Sequence, residues 1–268
     1  MAALRVPSPR NGLSLNRIVA WLAASFLLLP ILVIIPISLT PERYLSLPTT
    51  SISFRHYGSL VTDGRWTKSI VDSLIVGIGA TVVATGLGVA FSVGAWRLGT
   101  PLARRMRLLL LAPIIVPPIV HAVAFYRAWA TLGLLDTYLG LILIHAMKGL
   151  PFVVLTVAGT LANVDPRLEQ SARSLGATPR QAMGWVVLPQ IRAGIVAGAA
   201  FAFITSWDET IVALFVTSRA VTTLPRRIWE GLADNIDPAI AAISVLLIGL
   251  VIAVILGKTI VTALAKKT

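Results

Sequence analysis

Residues 163–189 read NVDPRLEQSARSLGATPRQAMGWVVLP, and the order of caps and breakers in that stretch predicts two short helices joined by a turn. Asp165 is an N-cap residue with Pro166 at the first helical position, the helix runs to Leu175, and Gly176 can take the left-handed conformation that ends it. Thr178 caps a second helix with Pro179 at its first position, Gln181 completes a capping box, and Pro189 closes it. The stretch is a preformed hairpin of helices, rigid enough to transmit a push. It lies between two apolar runs, and those runs set the class of the protein.

Of 268 residues, 56% are hydrophobic and 13% charged, and the mean hydropathy is +0.86, far above that of a water-soluble domain. The chain reads as an integral membrane protein. Its net charge of +12 does not make it a nucleic-acid binder, because such proteins carry their basic residues on a soluble face. A DNA-binding helix-turn-helix is likewise excluded, since the hairpin sits between two spans. Six apolar segments reach the ~20 residues a bilayer demands, at 18–39, 69–95, 108–132, 138–161, 191–216 and 239–263. The expected organisation is an N-terminal tail at 1–17, a first span at 18–39, a five-helix transmembrane domain at 67–263 and a C-terminal tail at 264–268. The first span is read as retained, because it is longer than a signal-peptide core and no small-residue cleavage site follows it.

Six spans place both tails on one side. The two tails, the 97–107 loop and the 163–192 loop hold thirteen Lys and Arg, against seven in the three opposite loops, with Arg127, Lys148 and Lys258 inside spans. By the positive-inside rule both termini and the hairpin are cytoplasmic. Cysteine is absent and the histidines (His56, His121, His145) are scattered, so no metal site or cofactor is expected. Breakers fall within spans: Pro113, Pro117 and Pro118 in the third, Gly149 and Pro151 in the fourth. Gly194 with Gly198, and Gly86 with Ala90 and Gly94, have the spacing of close helix contacts. In the long loop at 40–68, ISFRHYGSL predicts a short interfacial helix with Tyr57 and Trp66 as anchors.

The hairpin resembles the EAA loop of permease subunits of ATP-binding-cassette importers: RSLGAT and VVLP stand at that family's spacing. The resemblance runs from about residue 67 to 258. With LGLILIHAMKGLPFVVLTV, SWDE and TTLPRRIWEGL it is most similar to the spermidine/putrescine branch, where a Ser-Phe-Asp-Glu tetrad is typical of the fifth span. Here that tetrad stands as Ser206-Trp207-Asp208-Glu209. The resemblance implies an all-α type I importer permease fold in the bacterial inner membrane, in contact with lipid. It also implies a second permease subunit, two ATP-binding-cassette ATPase subunits, an external solute-binding protein, and no nucleotide site or enzymatic activity in this chain. It assigns contact with the ATPase to Glu169, Gln170, Ala172, Gly176, Leu188 and Pro189. One departure stands out: Gln170 occupies the place of the family's usual Glu, and Glu169 points about 100° away from it on a helix.

The remaining question is why two adjacent carboxylates lie in FITSWDETIVALF, residues 203–215. A charge at hydrocarbon depth costs ~2.5–3.5 kcal/mol, so each must face protein or water. Three readings compete: a structural ion pair with Lys148 or Arg127, a proton relay, or binding of a cationic solute. Their sign excludes anionic solutes and suits a polyamine with two or more ammonium groups. On a continuous helix Trp207, Asp208 and Glu209 fan over about 200°. Asp208 is then the central ligand, sharing a face with Phe201 and Thr205, Trp207 a cation–π wall, and Ser206 and Glu209 its neighbours. The other solutes in view are amino acid derivatives, 4-aminobutyrate or an opine, and the other class is a proton-coupled secondary transporter.

Overall fold

The computed structural model describes residues 15–49, 51–234 and 237–265; most of the tail expected at 1–17 and residues 266–268 lie outside them. Among the described residues there are helices and no strands. In chain order they are α1 (Leu15–Ser38), α2 (Arg55–Thr62), α3 (Gly64–Leu98), α4 (Pro101–Ile115), α5 (Pro118–Leu132), α6 (Tyr138–Leu161), α7 (Pro166–Ser174), α8 (Pro179–Ala182), α9 (Leu188–Trp207), α10 (Ile211–Val216), α11 (Leu224–Asp234) and α12 (Ala239–Ala265). A π turn at Met183–Val187 joins α8 to α9. Five helical stretches are long and apolar enough to cross a membrane, and α4 with α5 makes a sixth if the pair is one broken span.

Two expected spans are not single helices. The third, expected at 108–132, bends by 103° between α4 and α5. Val116 is extended there (φ −73°, ψ 127°), as the residue before a proline prefers, and Pro117 with Pro118 removes two successive backbone donors. The fifth, expected at 191–216, begins earlier and stops at Trp207; α10 starts afresh after a gap of three residues.

The chain forms two compact units, and the larger spans Gly64–Glu230. Its core is built by α3, α6 and α9 around Ala80, Ala84, Val153, Val157, Leu161, Ile191 and Ala202. A second cluster joins Val76, Ala122, Leu141, Ile144, Val212 and Val216 from α3, α5, α6 and α10. Gly198 is what lets α9 approach α6: a Cβ there would stand 2.9 Å from Val153 Cα. Gly86 and Gly94 meet nothing within 4 Å, so among the described residues the Gly194–Gly198 face is the one of the two expected small-residue contacts that is used.

In the smaller unit α1 and α2 both pack against α12. The Tyr57 hydroxyl is 2.7 Å from Ser38 Oγ, and His56 Nε2 is 2.9 Å from Glu42 O. The short helix expected in the 40–68 loop is therefore present, with Tyr57 turned to protein. Trp66 is not an interfacial anchor. It belongs to α3 in the larger unit, is buried, and lies 5.6 Å from the Arg227 guanidinium.

Candidate functional site

The break in the fifth span is made by its own polar residues. Asp208 is the C-cap of α9, its N–H donating to Ile204 O at 3.0 Å, and Glu209 folds back so that Oε1 accepts from Val212 N at 2.9 Å, capping α10. Glu209 Oε2 also pairs with Lys148 Nζ from α6, the carboxylate buried and the lysine partly so. One carboxylate thus closes a helix start and neutralises a cation, which is how a buried charge is tolerated. His145, one turn before Lys148 on α6, places Nδ1 2.7 Å from Ser206 Oγ. The break, Glu209–Lys148 and His145–Ser206 tie α9 and α10 to the centre of α6.

Asp208 is different. Its side chain is exposed and has no hydrogen bond or ion pair among the described residues. The Trp207 ring beside it stacks on Phe203, centroids 5.6 Å apart at 25°, and Thr205 is half-buried. The fan of three neighbours expected on a continuous helix is therefore corrected, because the helix ends at Trp207. Ser206 and Glu209 are occupied by protein partners, and Phe201 stacks on Phe152 at 6.2 Å. Asp208, Trp207 and Thr205 remain open.

Beyond the broken span, a second carboxylate organises backbone. Asp136, at φ +56°, accepts from the amides of Ser218, Arg219, Ala220 and Val221 at 2.7–3.3 Å. Burial by itself raises its pKa, but those four amides outweigh it and hold the carboxyl below its ordinary value. Asp72 does similar work, taking Lys68 Nζ at 2.5 Å, the Tyr138 hydroxyl at 2.6 Å and Thr222 N at 2.8 Å.

The hairpin forms as its caps dictate. Asp165 Oδ1 accepts from Arg167 N at 2.9 Å, Gly176 sits at φ +92°, and Thr178 with Gln181 makes a reciprocal capping box. Ala172 is half-buried and Gln170 exposed. Glu169 is buried and paired through both oxygens with Arg97 at the end of α3, Nε to Oε2 at 3.2 Å. Its charge is directed into the chain, not outward in place of the missing Glu at 170. Two further expectations need correction. Pro189 does not close the second helix: the π turn ahead of it accommodates the missing donor and the ring, and 179–207 runs on as one rod. Leu188 packs against the core cluster. Leu175, by contrast, is 89% exposed at the tip of the turn.

His145, Arg97, Asp72 and Asp136 are polar residues that sequence reasoning missed, and the first two bear on the site and the hairpin. His145 had a signal in its i, i+3 spacing to Lys148; Arg97, 72 residues from its partner, had none.

Residues 9–267 match the family described as binding-protein-dependent transport system inner membrane component. The trehalose transport system permease protein SugB of Mycobacterium tuberculosis is 30% identical over 212 residues, 76% of each chain. The spermidine/putrescine transport system permease protein PotC of Haemophilus influenzae is 24% identical, covering 89% of this chain and 92% of that one. The putrescine transport system permease protein PotI of Escherichia coli K12 is 26% identical over 87% and 85%. Among solved structures, a bacterial ABC transporter involved in the import of the acidic polysaccharide alginate superposes with a TM-score of 0.69 over 96% of this chain and 99% of that chain, at 19% identity. That last likeness is one of fold.

Proposed function

The chain belongs to the family of binding-protein-dependent transport system inner membrane components, and from that premise we propose that it is the importer permease through which a small cationic solute of the polyamine class crosses the inner membrane. The observation that carries the reading is the inequality of two neighbours. Glu209 is neutralised by Lys148, whereas Asp208 is exposed and unpaired at the end of a broken helix within an apolar span. An uncompensated carboxylate at that depth persists where it meets water or a mobile cation. Two open ends of helix also give the site backbone groups that a continuous helix would hide. Trp207, stacked on Phe203, offers an aromatic face beside the charge. The spermidine/putrescine and putrescine permeases among the relatives point the same way.

In this reading a second permease subunit completes the pathway, two ATPase subunits drive alternating access, an external binding protein delivers the solute, and the hairpin at 163–189 is the contact with the ATPase. Both termini are cytoplasmic. A second reading, uptake of a neutral polyol, draws on the trehalose permease relative and on the aromatic face beside Thr205 and Asp208.

Uptake of labelled putrescine by proteoliposomes holding the complete transporter separates these. Asp208→Asn should lower it about tenfold or more, since hydrogen bonds to a charged group are worth ~1.5–3 kcal/mol, with the complex still assembled. Unchanged putrescine uptake by the variant removes the cation assignment. Uptake of trehalose but not putrescine by the unmodified transporter establishes the polyol reading. In either case transport should survive an uncoupler and stop without ATP; the opposite pattern would mean a proton-coupled transporter.

A further inference from the structure

Helix α4 opens with PLARRMR at 101–107, immediately ahead of the apolar run LLLLAPII. None of the Arg104, Arg105 and Arg107 side chains has a hydrogen-bond or ion-pair partner among the described residues. Three guanidiniums at the edge of an apolar run lie in the headgroup layer when that run enters the bilayer, where basic side chains meet lipid phosphate.

Two of them line a cleft of about 280 Å³ between α3, α4 and α6. Its rim carries Arg104, which is exposed, and Arg107, which is half-buried; its floor carries Val154 and Leu161, both buried, beside Phe91. Ser92 also lines it. That residue is 3% exposed and its hydroxyl has no hydrogen-bond partner. A helical serine ordinarily returns its proton to the carbonyl one turn back, and leaving it unused in a buried position carries a desolvation cost that a ligand oxygen would remove. The N-terminus of α4 faces the same cleft through Thr100 and Ala103, adding the positive end of a helix dipole.

We propose that this cleft seats an anionic phospholipid. Arg104 and Arg107 hold the phosphodiester oxygens, the Ser92 hydroxyl donates to an ester carbonyl just below them, and the apolar floor takes the first methylenes of an acyl chain. Free phosphate satisfies the arginines equally well but has no use for Val154, Leu161 and Phe91, so the mixed lining selects an amphiphile.

The test uses the complete transporter purified in a neutral detergent, with phosphatidylglycerol, phosphatidylcholine and inorganic phosphate as separate probes. Thermal stability and the lipid retained in native mass spectrometry are the readouts. Phosphatidylglycerol should stabilise saturably and be retained about tenfold better than phosphatidylcholine. That preference should fall to near parity in the Arg104→Gln, Arg107→Gln double variant. Ser92→Ala, which removes only an oxygen that any ester-linked lipid could use, should weaken phosphatidylglycerol retention while leaving its preference over phosphatidylcholine in place, and Arg105→Gln, outside the cleft, should leave both retention and preference intact. Equal retention of the two lipids overturns the proposal, as does a preference that survives the double variant or a phosphatidylglycerol retention that Ser92→Ala leaves unchanged. Stabilisation by inorganic phosphate equal to that by phosphatidylglycerol would make the cleft an ion site and overturn the lipid assignment.

Discussion

Asp208 and Glu209 share a chemistry and differ in everything that surrounds them. Their presence in an apolar span is legible in the sequence, and so is Lys148 as a candidate counter-ion. What separates their roles is not, because the break at 208–210 contains neither glycine nor proline and is held open by Glu209 reaching Val212 N, a contact that exists only once α10 has formed. The pair predicts a specific pattern of stability. Removing one partner of a buried ion pair costs ~3–5 kcal/mol, while removing both charges together is nearly neutral. Lys148→Met should therefore lower the midpoint of thermal inactivation in detergent markedly, and adding Glu209→Gln, which keeps an acceptor for Val212 N, should restore most of it. A double variant no more stable than Lys148→Met would show that the charge of Glu209 is used elsewhere. Asp136 makes a second prediction, in pH. Its folded-state pKa lies below the ordinary carboxylate value of about 4, so its stabilisation is complete above that value and is lost as pH falls through the depressed one. Asp136→Asn should lower stability at neutral pH and flatten the acid limb of the stability profile; an unchanged acid limb would mean the four amides hold the loop whatever their acceptor's charge.

Elements differ in how far they can be read, and the difference follows the range of the forces that make them. The hairpin is legible almost to the residue, because Asp165, Gly176, Thr178 and Gln181 act on backbone within three or four positions. The third span is half legible: the prolines announce a break, but the 103° turn depends on where α5 finds α6 and α10. Pro189 misleads, since a π turn lets the chain pass a proline that local rules treat as a stop. Glu169 is the long-range link of the hairpin: its pairing with Arg97 ties α7 to the end of α3, whose Ala80 and Ala84 belong to the core with Val153 and Ile191, and in the proposed coupling role that link is the route by which movement of the loop would reach the core. Gly176 is the sharpest probe of that transmission. With φ at +92° and no atom within 4 Å of a Cβ built there, Gly176→Val meets open space at its Cβ and costs chiefly backbone strain, ~1–2 kcal/mol. The complex should still assemble, but solute-stimulated ATP hydrolysis should fall. Unchanged stimulation would remove the hairpin as the transmission element.

At the scale of the whole chain, the surplus of thirteen basic residues over seven is a statement about sides, and the larger unit supplies the grouping that the count assumes. The Arg97–Glu169 pair puts the end of α3 and the hairpin at one end; the amides of 218–221 gathered by Asp136 put the α5–α6 and α10–α11 loops together at another. Loops that a six-span count assigns to the same side are thus in contact, and only the absolute orientation is left to charge. The chain contains no cysteine, so any one introduced is unique. Ser174, on the hairpin, and Ser218, in the loop held by Asp136, are both exposed. In intact spheroplasts carrying the complete transporter, a membrane-impermeant maleimide should label Ser218→Cys and leave Ser174→Cys untouched until the membrane is opened. Labelling of Ser174→Cys alone would invert the chain. That result would place the hairpin outside the cell, away from any source of ATP, and the coupling role of Gly176 and Glu169 would fall with it.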